Sequence, residues 1–318
     1  MEEEHGRFQI LSLDGGGIKG LFSAAVLASI EEDLDIRIQD HFDLIAGTST
    51  GGIIALGLGI GLRPREIVEF YHSKGPSIFN KMWGVRSLQH WIRRKFPQKT
   101  LHAELGKVYG GKKLSDCTKR LVIPSYSLTD DDVYIFRTPH HERLRRDYKV
   151  ALSKIALATS AAPTYFPACK HIGHMRLIDG GVWANNPTMV AIVEAYGTLD
   201  VPLENIKVFS IGTSNAITHR QKKLDRGGKL RWAKGNDAID IIMRGQSLSA
   251  NNQANFLLGK ENVMRWDPNV AVGEFSLDGA GQVDDLIGKA AHFSRIHMPD
   301  FKDVFTGHAA AEYQPLYT

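Results

Sequence analysis

The chain has 318 residues, a formal net charge of +4, a hydrophobic share of 43% and a charged share of 23%. That balance fills a sizeable core and excludes an intrinsically disordered chain, and the small positive charge argues against a DNA or RNA duplex as partner. The two cysteines, Cys117 and Cys169, have neither metal-ligand nor disulfide-framework spacing, so no structural metal is expected and a reducing, cytoplasmic setting fits best.

The acidic start, Met1-Glu2-Glu3-Glu4-His5, lacks the basic and then apolar pattern of a secretory signal. Phe8 to Leu13 is short and apolar and runs into Asp14-Gly15-Gly16-Gly17, the pattern of a strand entering a glycine turn. From Lys19 to Leu34 the apolar residues Leu21, Phe22, Ala25, Val26, Ile30 and Leu34 recur at three- and four-residue steps, which predicts an amphipathic helix. The arrangement then repeats. Phe42 to Ala46 reads as a buried strand, Gly47-Thr48-Ser49-Thr50-Gly51 as a sharp turn, and Gly52 to Gly61 as an apolar helix. The longest apolar stretch, Ile53 to Leu62, is roughly half of the ~20 residues a spanning helix needs. Two strand-turn-helix units in series imply a parallel sheet with helices on its faces, an α/β fold.

Pro64 suits the first turn of a helix reaching Lys74. Trp83 to Gly111 mixes aromatics, the run Arg93-Arg94-Lys95 and glycines, and is expected to form a lid-like insertion. Leu121 to Tyr126 and Val133 to Arg137 read as neighbouring strands, Val150 to Ser160 as a helix, and Met175 to Ile178 as a short strand entering Asp179-Gly180-Gly181. Asn186-Pro187 is expected to open a helix to Tyr196, and Ile206 to Ile211 is a further buried strand. Thr218 to Lys234 reads as an exposed basic loop and Ala238 to Leu258 as mostly helix. A strand at Val263 to Trp266 and two helices, Val283 to His292 and Pro299 to Phe305, complete the chain.

Three glycine turns carry the chemistry. Gly47-Thr48-Ser49-Thr50-Gly51 is a G-x-S-x-G pentapeptide between strand and helix, where flanking glycines relieve crowding and lift the Ser49 hydroxyl out of the sheet. The Thr50 N–H could there meet a developing oxyanion. Asp14-Gly15-Gly16-Gly17-Ile18-Lys19-Gly20 presents backbone N–H groups unobstructed, an anion cradle at a helix start. It also matches G-x-G-x-x-G, but the next strand ends in the serine turn instead of the acidic residue a dinucleotide site wants, and Lys19 is followed by Gly20, unlike a P-loop. An oxyanion hole serving Ser49 explains both turns; a nucleotide-binding module is the alternative. Asp179, at a strand end, is the better partner for Ser49 than any of the thirteen histidines. A Ser-His-Asp esterase on soluble esters would draw instead on His292, His297 or His308.

In order and spacing the three motifs resemble those of the patatin-like phospholipases: D-G-G-G-x-[RK]-G, then G-x-S-x-G, then D-G-G or D-G-A. Ala158 to Pro167 and Asn185-Asn186-Pro187 resemble the blocks that flank the family's aspartate. The resemblance covers Phe8 to Thr213 and implies a three-layer sandwich with a mostly parallel central sheet and helices on both faces. Residues 1–213 would form the catalytic core, with the insertion at 83–111, and 214–318 a C-terminal helical extension packed on it in the same domain. It further implies a lipid acyl hydrolase acting on membrane phospholipids, with no cofactor or metal. Ser49 matches the nucleophile, Asp179 the base, and Gly15, Gly16 and Gly17 the oxyanion loop, with Asp14, Lys19, Gly20, Gly47, Gly51, Gly180 and Gly181 as motif positions. Lys19 stands where plant members often have Arg, which keeps the charge and loses the fork of donors.

An ordinary aspartate, near pKa ~3.9, is a poor base at neutral pH, so a desolvated site that raises Asp179 is expected. The clusters Arg93-Arg94-Lys95, Arg143 with Arg145-Arg146, and Lys222-Lys223 are candidate contacts for anionic head groups, with Trp83, Trp91 and Phe96 as interfacial aromatics. Compact patatin-like proteins of this layout also resemble anti-phage effectors switched on by cyclic oligonucleotides. That implies a cyclic dinucleotide activator, a change of assembly to a homo-oligomer, and action at the inner membrane surface.

Overall fold

Alternation along the first strand, β1 (Phe8–Leu13), decides the layering. Ile10 joins one apolar cluster with Leu44, Val122, Ile192, Val208 and Leu258, whereas Leu11 and Leu13 join another with Phe22, Ile45, Ile54, Leu121 and Phe209. Successive side chains of a strand point to opposite faces, so a sheet apolar on both needs helices on both. The computed structural model describes residues 6–78, 98–213, 215–216, 237–270 and 283–318.

The other strands are β2 (Leu44–Gly47), β3 (Arg120–Ser127), β4 (Asp132–Arg137), β5 (Leu177–Asp179), β6 (Ile206–Ile211), β7 (Asn215–Ala216), β8 (Val263–Trp266) and β9 (Asn269–Val270). The main sheet runs β4-β3-β2-β1-β6-β8, parallel from β3 through β8, with β4 and β5 antiparallel to β3; β7 and β9 form a separate short pair. One face is covered by α1 (Leu21–Leu34), α2 (Thr50–Gly59), α3 (Pro64–Ile78), α4 (Gln98–Tyr109), α5 (Leu152–Thr159) and α9 (Val283–Phe305). The other carries α7 (Thr188–Thr198) and α8 (Asp237–Leu258). This is the mixed α/β architecture expected, with a mostly parallel sheet between two helical layers.

Register brings two distant segments together. β2 pairs with Arg120 to Val122 of β3, and β5 with Ser125 to Ser127, while β4 occupies the opposite edge of β3. β5 therefore lies end-on to β2, and Asp179 arrives where the turn after Gly47 begins. The ends of β1, β2, β6 and β8 point the same way, the edge at which open parallel sheets gather their sites.

Several expectations change. Gly17–Gly20 form a 3-10 turn before α1 begins at Leu21, and a four-residue helix, α6 (Gly181–Ala184), precedes α7, which starts at Thr188. The last helix is one element from Val283 to Phe305 with Pro299 inside it. Proline costs that helix the bond to the Arg295 carbonyl, but Arg295 is exposed, so that acceptor is not shut away from solvent, while Leu286, Ala290, Met298, Phe301 and Phe305 stay buried. The strand expected at Val263 to Trp266 is β8, and it lies at the edge of the main sheet, so the C-terminal third contributes to the sheet as well as to the helical layers. α4 buries Leu101, Leu105 and Tyr109 at four-residue steps, so this part of the lid-like insertion is a packed helix.

Residues 83–97, with Trp83, Trp91, Phe96 and Arg93-Arg94-Lys95, and 218–234, with Lys222-Lys223, lie outside the described residues. The remaining basic cluster follows β4, which runs antiparallel to β3 and leads away from the end that holds Ser49. There Arg145 lies over the Tyr317 ring at 5.2 Å and Arg146 over the Tyr134 ring at 4.1 Å, so both guanidinium groups rest on aromatic rings of the protein itself. Among the described residues no helix is long and apolar enough to cross a membrane.

Candidate active site

β2 ends at Gly47 and α2 begins at Thr50, so only Thr48 and Ser49 make the turn. Ser49 takes φ 55° and ψ −119°, backbone strain of about 1–3 kcal/mol for a residue with a side chain. The surroundings hold it there. Its N–H donates to Thr159 Oγ1 at 3.0 Å, Thr159 donates to the Pro124 carbonyl at 2.6 Å, and Thr48 Oγ1 donates to the Ala184 carbonyl at 2.6 Å. A side chain on Gly47 would run into the Gly51 carbonyl, and one on Gly51 into the Leu13 carbonyl, so neither glycine is replaceable in this turn.

The Ser49 hydroxyl donates to Asp179 Oδ2 at 2.7 Å, and the two residues are only 8% and 5% exposed. Asp179 Oδ1 accepts the Gly181 N–H at 2.7 Å, and the Asp179 N–H donates to the Ala161 carbonyl. Gly180 has no room for a Cβ against the Pro124 carbonyl, which lets the Asp-Gly-Gly turn press on β3. Burial pushes the Asp179 carboxyl up to about 6, and the bonds from Ser49 and Gly181 pull against it without cancelling it. Asp179 is therefore ionised at neutral pH and far more basic than an exposed aspartate.

The glycine loop is stitched to both turns. Thr50 Oγ1 donates to the Gly17 carbonyl at 2.7 Å, and a Cβ on Gly20 would run into the Thr50 side chain. The Gly15 N–H donates to the Asn185 carbonyl at 2.9 Å, so it is spent on structure and cannot serve as the oxyanion donor expected of it. A Cβ on Gly15 would sit 3.2 Å from the Ser49 Cβ, and Gly15 instead allows that close approach. The N–H groups of Gly16 and Gly17 have no acceptor among the described residues, and the Thr50 N–H lies in the first turn of α2, where helix starts leave donors unmatched. Lys19 is half-buried beside this loop.

Three side chains outside the expected set complete the site. Arg265, on β8, holds Asp14 in a bidentate pair, Nη1 to Oδ1 at 2.7 Å and Nη2 to Oδ2 at 2.6 Å, and also donates to Ser210 Oγ and Asp267. Burial pushes Asp14 up to about 6 against the pull of Arg265, so the pair is ionised at neutral pH. A charged residue inside the apolar run Val263-Met264-Arg265-Trp266 was the available signal, since an arginine in a buried strand needs a counter-charge. Thr159 and Asn185 lie in segments singled out by resemblance alone. The late histidines are elsewhere: His308 pairs with Asp43 at 2.7 Å, His297 packs on Phe293 and Trp266, and His292 is exposed on α9.

Together these groups place a hydroxyl, a raised carboxylate and free N–H donors at the start of a helix whose dipole favours negative charge, an arrangement suited to acyl transfer. The family model described as patatin-like phospholipase matches residues 11–192. A cGAMP-activated phospholipase of Escherichia coli is 32% identical over 304 residues, covering 86% of this chain and 84% of the relative. Another from Pseudomonas aeruginosa is 33% identical over 262 residues, 79% and 76% of the two chains. Patatin-like protein 4 of Arabidopsis thaliana is 35% identical over 239 residues, 65% of this chain and 59% of its own. By the family match and the extent of these relatives, the chain belongs to the patatin-like phospholipase family, a family of hydrolases.

Proposed function

We propose that this chain cleaves fatty-acyl esters of membrane phospholipids through a Ser49–Asp179 dyad and that a cyclic dinucleotide switches it on. The observation that carries the first half is the 2.7 Å bond from the Ser49 hydroxyl to a buried carboxylate raised to about 6. Asp179 accepts the serine proton as Oγ attacks the ester carbonyl. The N–H groups of Gly16, Gly17 and Thr50 receive the oxyanion, and Arg265 holds the loop through Asp14. The alcohol leaves with the proton carried by Asp179, and water releases the fatty acid from Ser49.

The second half is supported by the bacterial relatives, which are cGAMP-activated phospholipases. Residues 1–213 and the described C-terminal elements act as one catalytic domain, because β8 lies in the sheet and Arg265 reaches the glycine loop. The protein works in the cytoplasm at the inner membrane face. The test is fatty-acid release from phosphatidylethanolamine and phosphatidylglycerol vesicles with and without cGAMP or cyclic di-GMP, beside hydrolysis of a soluble p-nitrophenyl ester. Release that rises at least tenfold with one nucleotide is expected. Release that no nucleotide alters removes the activation half, and ester cleavage with no release from vesicles removes phospholipid as substrate.

A further inference from the structure

Two anchors bracket the oxyanion donors of the glycine loop. After them, the Gly17 carbonyl accepts from Thr50 Oγ1; before them, the Gly15 N–H donates to the Asn185 carbonyl at 2.9 Å. That carbonyl shares one planar trans peptide unit with the Asn186 N–H, and the two groups point opposite ways. On the far side the Asn186 N–H donates to Gln246 Oε1 of α8 at 3.0 Å, and Gln246 Nε2 donates back to the Asn186 carbonyl at 3.3 Å. A backbone N–H only donates and a carbonyl only accepts, so these two partners fix which way the Gln246 amide faces. The peptide unit is thus held between Gly15 and Gln246, and turning it about its Cα–Cα axis would break both bonds. Asn186 is only 1% exposed, so its backbone depends on these partners and not on water. The same stretch of α8 grips the neighbourhood: Asn186 Nδ2 donates to the Ser247 carbonyl at 3.3 Å, and the Met243 Cε lies 3.5 Å from where a Cβ on Gly181 would stand.

We propose that Gln246 is a positioning residue for ester hydrolysis: by fixing the peptide between Asn185 and Asn186 it sets the Gly15 end of the loop, and with it the aim of the Gly16 and Gly17 N–H groups at the oxyanion. This rests on the Ser49–Asp179 reading above. Gln246 acts through the backbone and not on Ser49 or Asp179 themselves. The ester oxygen gains its negative charge only as the tetrahedral species forms, so the aim of these donors matters far more in the transition state than in the bound substrate. Loosening the peptide therefore costs rate and leaves substrate binding nearly as it was.

The test uses the full chain with cGAMP present and compares wild type with Gln246→Met, which keeps the length of the side chain and loses both bonds, and Gln246→Glu, which keeps an acceptor for the Asn186 N–H. The readouts are kcat and KM for p-nitrophenyl butyrate and the Ki of butaneboronic acid, whose tetrahedral adduct on a serine carries negative charge where the oxyanion would. Gln246→Met is expected to lower kcat about ten- to a hundredfold with KM within about threefold, and to raise the Ki by the factor by which kcat/KM falls. Gln246→Glu shifts kcat and Ki together by a smaller factor and decides the matter if Gln246→Met fails to fold. A Ki unchanged in the folded variants, a rise in KM in place of a fall in kcat, or kinetics equal to wild type overturns the proposal. A wild-type protein with no turnover, or turnover that survives Ser49→Ala, refutes the dyad itself, a distinguishable outcome.

Discussion

Asp179→Asn keeps shape and removes charge, and the structure fixes the sign of its effect on stability. A carboxyl held at about 6 instead of 3.8 is disfavoured when ionised in the folded chain by about 3 kcal/mol, at ~1.4 kcal/mol per tenfold change in proton affinity. Because the folded value is raised, the favourable contribution is complete below 3.8 and is lost as pH rises through about 6. The neutral amide escapes that loss. The variant should therefore exceed wild type by roughly 3 kcal/mol at pH 8 and by about half as much at pH 5. At roughly 2 °C per kcal/mol for a chain of this size, it should melt about 5 °C higher at pH 8, with the gap narrowing at pH 5. Scanning calorimetry at the two pH values measures this, and Asp14 drops out because both proteins carry it. The same substitution should abolish hydrolysis, since an amide cannot accept the serine proton. A melting gap equal at both pH values, or a variant less stable at pH 8, would show that Asp179 is not a desolvated carboxylate.

Other consequences are equally concrete. Hydrolysis of a soluble ester by wild type should rise with pH through about 6, where Asp179 and Asp14 ionise, and kcat/KM profiles with an acid limb near 4 would contradict the burial of both. Arg265→Met strands the Asp14 carboxylate and should cost about 3–5 kcal/mol at pH 8, less at pH 5 where Asp14 takes up a proton; urea titrations at the two pH values read the difference. Thr159→Val removes the acceptor for the Ser49 N–H at nearly constant volume and should cost about 1–3 kcal/mol in urea unfolding, with kcat falling more than KM changes.

Much of the sheet was legible because its strands are short apolar runs ending in glycine turns. Ser49, Asp179 and the glycine loop could be named together as candidates because their motifs set glycines where backbone approaches backbone. Arg265 was hidden because its partner Asp14 is 251 residues away, and nothing in β8 names the strand it will lie beside. Gly15 was misjudged for a related reason, since only the fold shows that the segment after Asp179 returns to claim its N–H. The continuous helix through Pro299 ran against a sound local rule, and burial of six apolar residues on its inner face outweighs one lost backbone bond.

The most direct test of the dyad is fatty-acid release from phospholipid vesicles by wild type, Ser49→Ala, Asp179→Ala and the double variant, each shown to be folded and each assayed with and without cGAMP. Two residues that act as one unit are not additive, so each single variant should lose on the order of a thousandfold or more and the double variant little beyond that. Substantial release by folded Asp179→Ala, or losses that multiply in the double variant, would contradict a proton passing from Ser49 to Asp179.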